Sequence, residues 1–428
     1  MTERQKRTGV PQMRRFHRLA LAALTTLGVA SLTAVPTGPA SATSSSNSPI
    51  TIALITSETG PGGAVYGDAP QGFLARIALQ NAEGGVNGHK IVPLVIDDQT
   101  SPTEVATAVQ EAIAKGSLGI VSVSPVFFLA AKYPQQAGLP VTGGFFDGPE
   151  WGEQPYTNMF ASDAGSVDPK YPVDTVFSSF IKAHGGTVLG SYAYGISPTS
   201  VQGAVGASDG FKSQGGSVGV LDTSIPFGSV AFTPEALVAK QKGINAVFTA
   251  MDGNSNVALA TALEQAGVKP KVTVFPTGFS PSLVNSPAWS NVQGDYFVAE
   301  FRPAQLPDAG TEQLTGALQK YEHRPPNEFY DYGIVEAWLG ADLMLKGIGL
   351  AGADPTSAAV IHDLRNLKSY DGNGLLPQSI DYSSIFGHDP AKTCLWYLQA
   401  KKSGFVPVSS QPWCGHDIPG TSVAGVTG

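Results

Sequence analysis

Apolar positions along this chain alternate between two patterns. Short continuous apolar runs, Ile52–Ile55, Ile91–Ile96, Leu118–Val123, Thr187–Tyr192, Val218–Leu221, Ala246–Thr249 and Val272–Phe275, read as strands. A continuous run suits a strand buried on both faces of a parallel sheet, whereas one wet face would leave alternation. Between these runs lie stretches with helical spacing. After Ser101-Pro102-Thr103-Glu104, the residues Val105, Ala108, Val109, Ala112 and Ile113 fall on one helical face. The four residues ahead of them form a capping box with proline at the first helical position. Thr233-Pro234, Ser280-Pro281 and Asp354-Pro355 repeat the cap-then-proline signal. Further helices are predicted at Asp68–Asn81, Phe127–Gln136, Val173–His184, Val201–Ser213, Pro234–Lys242 and Ser255–Gln265. Repeated β-α-β units with right-handed crossovers give an α/β fold with doubly wound parallel sheets.

The rhythm breaks twice. Gly148–Asp168 is rich in proline and aperiodic, and Tyr296–Pro307 is similar, so both are expected to cross between lobes. Helices Thr311–Tyr321 and Glu328–Lys346 follow the second break. In the tail, Leu395–Gln399 and Phe405–Val408 read as two strands joined by Lys401-Lys402-Ser403-Gly404. Near the start, the strand Ile52–Ile55 ends in Thr56-Ser57-Glu58-Thr59-Gly60-Pro61-Gly62-Gly63 before a helix, and Gly84-Gly85-Val86-Asn87-Gly88 leads to the next strand. A strand that ends in such a loop presents backbone N–H groups and hydroxyls at the sheet's carboxyl edge, where open α/β sheets bind small ligands.

Composition narrows the class. Arg4, Lys6, Arg7, Arg14, Arg15 and Arg18 precede the apolar stretch Leu19–Leu32, and Ala40-Ser41-Ala42 is a small-x-small cleavage site. Residues 1–42 therefore read as a secretory signal peptide, with Met13 as an alternative start, and the mature protein is expected outside the cytoplasm. Arg14-Arg15 suggests twin-arginine export, but the residues around it fit poorly. The full chain carries a formal charge of −8, and loss of residues 1–42 leaves 20 basic against 33 acidic side chains, or −13. So acidic a surface disfavours nucleic acid and anionic membranes as partners. No later apolar run approaches the roughly 20 residues needed to span a bilayer. The two cysteines, Cys394 and Cys414, are expected to form one disulfide in an oxidising compartment. Enzyme patterns fail on context. Gly215-Gly216-Ser217-Val218-Gly219 follows a helix and opens a strand, the reverse of a nucleophile elbow. Gly347-Ile348-Gly349-Leu350-Ala351-Gly352 trails a helix instead of a strand. The histidines show no metal-ligand spacing, and neither metal nor cofactor is implied.

Thr59-Gly60-Pro61, Gly84–Gly88 with Ile96-Asp97-Asp98, Gly138-Leu139-Pro140-Val141, Tyr194-Gly195 and Phe329-Tyr330-Asp331 stand in an order that resembles a known family. It is the type I periplasmic solute-binding proteins of ABC transporters, specifically the branched-chain amino acid (Leu/Ile/Val) class. The resemblance covers nearly all of residues 50–410. It implies two doubly wound lobes joined by a three-crossover hinge, with ligand enclosed between them and delivered to a transporter permease by a monomer. The lobes would comprise 49–164 with 297–378, and 165–296 with 379–414, leaving 415–428 as a tail. A ligand-sensing receptor module on the same fold is the alternative, and neighbouring permease and ATPase genes would favour transport.

The resemblance also implies site residues. Ser124, after the strand Leu118–Val123, would bind a ligand carboxylate, and its proximity to Pro125 equally suits a helix cap. The next loop maps to Gly143-Gly144-Phe145-Phe146-Asp147. Phe145 and Phe146 depart from the small residues usual there and would narrow the cleft or stack on a ring. Tyr194 matches the aromatic wall of the second lobe. Asp252 stands where tyrosine is common, and Thr277 where a glutamate often binds the α-ammonium. Asp252 or Asp147 would have to supply that charge. Thr59, Tyr66 and Phe301 complete the candidate contacts, with Arg302 beside the last, while Asp97-Asp98 reads as a turn and cap. The ligand expected is a small carboxylate-bearing organic molecule, an amino acid or an aromatic or related acid.

Overall fold

A computed structural model describes residues 47–144, 148–163, 172–325, 330–385 and 393–422. The expected signal peptide lies outside these residues. The chain begins β1 (Asn47–Thr56), α1 (Gly63–Tyr66), α2 (Ala69–Ala82), β2 (His89–Asp97), α3 (Glu104–Ala114), β3 (Gly119–Val123), α4 (Lys132–Ala137), β4 (Val141–Gly143) and β5 (Met159–Ala161). It continues α5 (Val176–Ala183), β6 (Val188–Tyr194), α6 (Pro198–Ser213), β7 (Ser217–Ile225), α7 (Thr233–Lys242), β8 (Ala246–Ala250), α8 (Gly253–Gln265), β9 (Val272–Phe275), α9 (Pro281–Val284) and β10 (Tyr296–Ala299). The last part runs α10 (Ala309–Tyr321), α11 (Tyr332–Leu350), α12 (Ser357–Arg365), α13 (Tyr382–Ile385), β11 (Cys394–Lys401), β12 (Gly404–Pro407) and β13 (Trp413–Cys414).

Two sheets result. The first has order β2-β1-β3-β4-β5, all parallel; the second has β12-β11-β10-β9-β8-β6-β7, with β13 added on β11. Alternation inside β1 shows why its apolar run is continuous. Ile52 and Leu54 pack with Phe73 of α2 and Trp338 of α11, while Ala53 and Ile55 face Val105 and Val109 of α3. Successive side chains point to opposite faces, and helices cover both. A Cβ on Gly72 would lie 1.9 Å from the Ile334 carbonyl oxygen, so the contact between α2 and α11 requires glycine there. Pro93, which cannot donate to a ladder, sits in the edge strand β2. The second sheet repeats the scheme, with Leu189 packed on Phe180 of α5 and Tyr192 on Ala236 of α7.

Three local expectations are corrected. The aperiodic Gly148–Asp168 contains β5, whose three residues pair with β4 and are too few to show a period. Tyr296–Pro307 opens with β10, parallel to β9 and antiparallel to β11, so residues 297–299 belong to the second sheet and the crossing follows Ala299. Residues 379–385, expected in the second lobe, stay with the first sheet: Ile380 bridges Tyr370, and the Tyr382 hydroxyl donates to the Ala161 carbonyl. The chain thus passes between the sheets after β5, after β10 and before β11. The parallel order gives way at that last edge, where β11 and β12 form a hairpin and β13 places Cys414 opposite Cys394. Their disulfide closes a loop of 20 residues, which stabilises by roughly 3 kcal/mol through lost chain entropy. Among the described residues no helix is long and apolar enough to cross a membrane.

Candidate functional site

Neighbouring parallel strands end at one edge, and the residues just past β6, β8 and β9 meet there. Tyr194 closes β6, Asp252 follows β8 and Thr277 follows β9; all three border a cavity of about 190 Å³. Tyr66 of α1 and Pro125 after β3 reach it from the first sheet, and Glu300 from the second crossing. The cavity therefore lies between the two sheets' carboxyl edges, the usual ligand position in open α/β folds.

Its polar end is locally organised. Asp252 caps α8, accepting from the N–H groups of Asn254 at 2.8 Å and Ser255 at 3.1 Å. The Tyr194 hydroxyl donates to the same carboxylate and lies 2.5 Å from the Ser255 hydroxyl. Burial, then the nearby Asp252 charge, pushes the Tyr194 phenol well up, so it remains a donor. Ser197 caps α6 by accepting from the Ser200 N–H at 3.2 Å, and both residues face the cavity. Asp174, another lining residue, accepts from the Val176 N–H at 2.5 Å and the Thr393 N–H at 3.2 Å; burial raises its carboxyl.

The other end is largely apolar, with Asp174 and Thr393 at its margin. An arm runs between α5, α6 and the second sheet, walled by Val176, Phe177, Ala207, Phe248, Ala250 and Leu395. Gly203 and Gly206 lie on the α6 wall and leave the space open. Among the described lining residues the charged groups are Asp174, Asp252 and Glu300, with no lysine, arginine or histidine. Beside the cavity, Glu300 lies close to Asp163 and Glu336. Burial pushes the Glu300 carboxyl up to about 7, against the lowering effect of the hydrogen bond from the Tyr332 hydroxyl. Glu336 is held well above the usual carboxylate range by burial and then by Glu300.

Of the residues singled out from sequence, Tyr66, Tyr194, Asp252 and Thr277 come together at the cavity. Thr59 does not. Its hydroxyl donates to Asp97 at 2.6 Å and ties the first loop to the end of β2. Ser124 is fully buried, accepts from the Val126 N–H at 3.3 Å and donates to Asp98; its neighbour Pro125 lines the cavity instead. Phe301 is core: its ring stands edge-on to Phe279, centroids 6.0 Å apart. Arg302 pairs with Asp308 at 2.9 Å. Asp97 and Asp98 serve the turn, accepting from the Gln99 and Thr100 N–H groups at 2.8 Å each. Phe145, Phe146 and Asp147 lie outside the described residues. Sequence reading missed Glu300, Phe177, Phe227 and Phe248; Glu300 alone left a signal, as an acid amid the apolar run around it.

A family model described as periplasmic binding protein matches residues 49–404. No curated protein matches the chain. Among solved structures, a fatty acid ABC transporter substrate-binding protein from Thermomonospora curvata is 17% identical, with 85% of this chain and 92% of that chain covered at a TM-score of 0.69. A solute-binding protein of an ABC transporter from R. palustris, in complex with benzoate, is 16% identical, covering 87% and 99% at a TM-score of 0.68. A branched-chain amino acid transporter substrate-binding protein from Streptococcus pneumoniae, in complex with isoleucine, is 16% identical, covering 86% and 99% at 0.66. At such identities the likeness is one of fold.

Proposed function

The chain belongs to the periplasmic binding protein family, and we propose that it captures a small organic solute with an apolar body outside the cytoplasm and delivers it to an ABC transporter permease. The observation that carries this reading is the shape and lining of the cavity: an apolar arm under α6 that opens to a hydroxyl-bearing, acidic end at Tyr194 and Asp252. Burying apolar surface supplies affinity, about 25 cal/mol per Å², while the few polar groups orient the solute. A solute that touches Tyr66 on one side and Tyr194 on the other favours the closed arrangement of the lobes, which a permease would read.

The ligand carboxylate expected from the resemblance meets no basic side chain among the described lining residues. An acid would have to use the hydroxyls and N–H groups at the start of α6, where a helix N-terminus favours an anion. The solutes named for the three relatives, a fatty acid, benzoate and isoleucine, share an apolar body and differ in length and head group. That shared feature is the one this cavity suits.

Thermal-shift and calorimetric titration with octanoate, octanamide, benzoate, isoleucine and a polyol test the reading. A ligand at 100 times its Kd adds about 2.7 kcal/mol of stability. At least one apolar-bodied compound is expected to raise Tm and bind one-to-one. Stabilisation by the polyol alone would refute the proposal, and the octanoate–octanamide pair decides whether the head group is an anion.

A further inference from the structure

Asp163, Glu300 and Glu336 come from three distant parts of the chain and converge, each offering a carboxylate oxygen within 4.8 Å of the others. Asp163 follows β5 at the first crossing, Glu300 follows β10 at the second, and Glu336 lies in the second turn of α11, which packs on the first sheet. Asp163 and Glu336 are buried, and Glu300 is half-buried. Glu336 is the decisive residue. Its side chain is 0% exposed, and neither carboxylate oxygen has a hydrogen-bond partner among the described residues. Arg76, which does reach α11, is bound at 2.8 Å to Asp342 instead. Buried carboxyl groups are nearly always hydrogen-bonded or paired with a cation, because a desolvated, unpartnered carboxylate is among the costliest groups to place inside a protein.

We propose that Asp163, Glu300 and Glu336 hold a hard divalent cation of the calcium type at the crossings between the two sheets. The donor chemistry fits. Calcium binds oxygen ligands at about 2.3–2.6 Å, so oxygens on opposite sides of the ion stand up to about 5 Å apart. The trio's spacing falls within that span. An enclosed carboxylate able to bind through both oxygens, that of Glu336, suits calcium better than magnesium, which keeps several waters and demands octahedral geometry. Glu300 also lines the solute cavity, which provides the route of entry and room for water to complete the coordination. The ion would link β5, β10 and α11, and so brace the segments on which the lobes pivot. The proposal is independent of which solute the cavity takes.

The competing occupant is the proton, which can neutralise a pair of close carboxyl groups without any metal. Calorimetric titration of CaCl2 and MgCl2 into the EDTA-treated, dialysed mature protein at pH 7.5 separates the two, with thermal melts alongside. One Ca²⁺ is expected per chain, with a Kd of about 10⁻³ M or tighter, as in extracellular calcium modules. Proton release is expected on binding, seen as a dependence of the heat on buffer ionisation, together with a Ca²⁺-dependent rise in Tm. Glu336→Gln, which keeps the shape, should weaken binding at least tenfold. Asp163→Asn is the second variant should Glu336→Gln fail to fold. No saturable binding at about 10 mM CaCl2, or binding that neither substitution alters, would overturn the assignment in favour of protons.

Discussion

Asn254 donates its side-chain amide to the carbonyl oxygen of Pro61 at 3.0 Å, which joins the first turn of α8 to the loop after β1. The bond spans the mouth of the cleft from the second sheet's layer to the first's. Next to it, a Cβ on Gly253 would lie 2.9 Å from both the Gly278 Cα and Val65 Cγ2, so backbone and side chains from both sides meet here without spare room.

Separating the two sheets at this point would break the bond, so it is expected to act on a hinge equilibrium between them. Asn254→Ala should weaken solute binding by about fivefold, the equivalent of one net hydrogen bond of about 1 kcal/mol. The change is expected in the dissociation rate measured by stopped-flow fluorescence, with Tm of the free protein unchanged. Gly253→Ala should weaken binding further, because its methyl group obstructs closure directly. Unaltered dissociation in both variants would place the closing contact elsewhere.

Tyr194 and Asp252 depend on each other. Tyr194→Phe leaves the buried Asp252 carboxylate, which caps α8, with the Ser255 hydroxyl at 3.4 Å as its remaining hydroxyl donor. A loss of about 1–3 kcal/mol is expected, or roughly 1–4 °C in Tm for a chain of this size. Differential scanning calorimetry measures it. An unchanged Tm would mean that water replaces the phenol at no cost.

Gly203 offers a cleaner test of the apolar arm. A Cβ there would meet Ala250 Cβ at 3.7 Å, an ordinary contact. Gly203→Leu should therefore fold, and replacing glycine inside α6 favours the helix by about 0.5–1 kcal/mol. The leucine side chain would occupy the arm, and affinity for an apolar-bodied solute should drop at least tenfold by calorimetry. Retained affinity would show that the solute lies outside the arm.

Asp295, just before β10, supplies a pH dependence. Burial pushes its carboxyl up to about 8, against a partial lowering by the Thr273 hydroxyl. The native state then holds this proton more tightly than the unfolded chain does. Stability from this group is intact near pH 4, declines as pH rises, and levels off above about pH 8. Asp295→Asn removes the dependence. Relative to wild type it should gain stability with increasing pH, by at most about 4 kcal/mol at pH 7. Urea unfolding at pH 4 and pH 8 tests the sign, and an equal difference at both would contradict it.

Much of the fold could be read from local pattern. Ile52–Ile55 and Ile120–Val123 show the continuous apolar signature of strands covered on both faces, and Ser280-Pro281 marks a real helix cap, whereas Thr233 opens α7 as its first residue with Phe232 at the N-cap. The disulfide was legible because the chain has only two cysteines. Short β5 and β10 were not legible, since three or four residues cannot display a period and their pairing is entirely non-local. Four of the residues singled out from sequence line the cavity. Tyr194, Asp252 and Thr277 lie at strand ends and Tyr66 ends the short helix α1, all bordering the cavity, whereas Thr59 and Ser124 turn their hydroxyls to Asp97 and Asp98 at the end of β2.

The sequence by itself determined most of the order of strands and helices, the faces that must be buried, and the resemblance to a two-lobed binding family, because each follows from local periodicity, capping and motif order. Tertiary structure decided which polar groups remain for a solute. Asp97 and Asp98 take the hydroxyls of Thr59 and Ser124, the glycines of α6 open an apolar arm, and Asp163, Glu300 and Glu336 meet at the crossings. Hydrogen-bond partners and cavities are properties of distances between segments far apart in the chain, and only packing sets those distances.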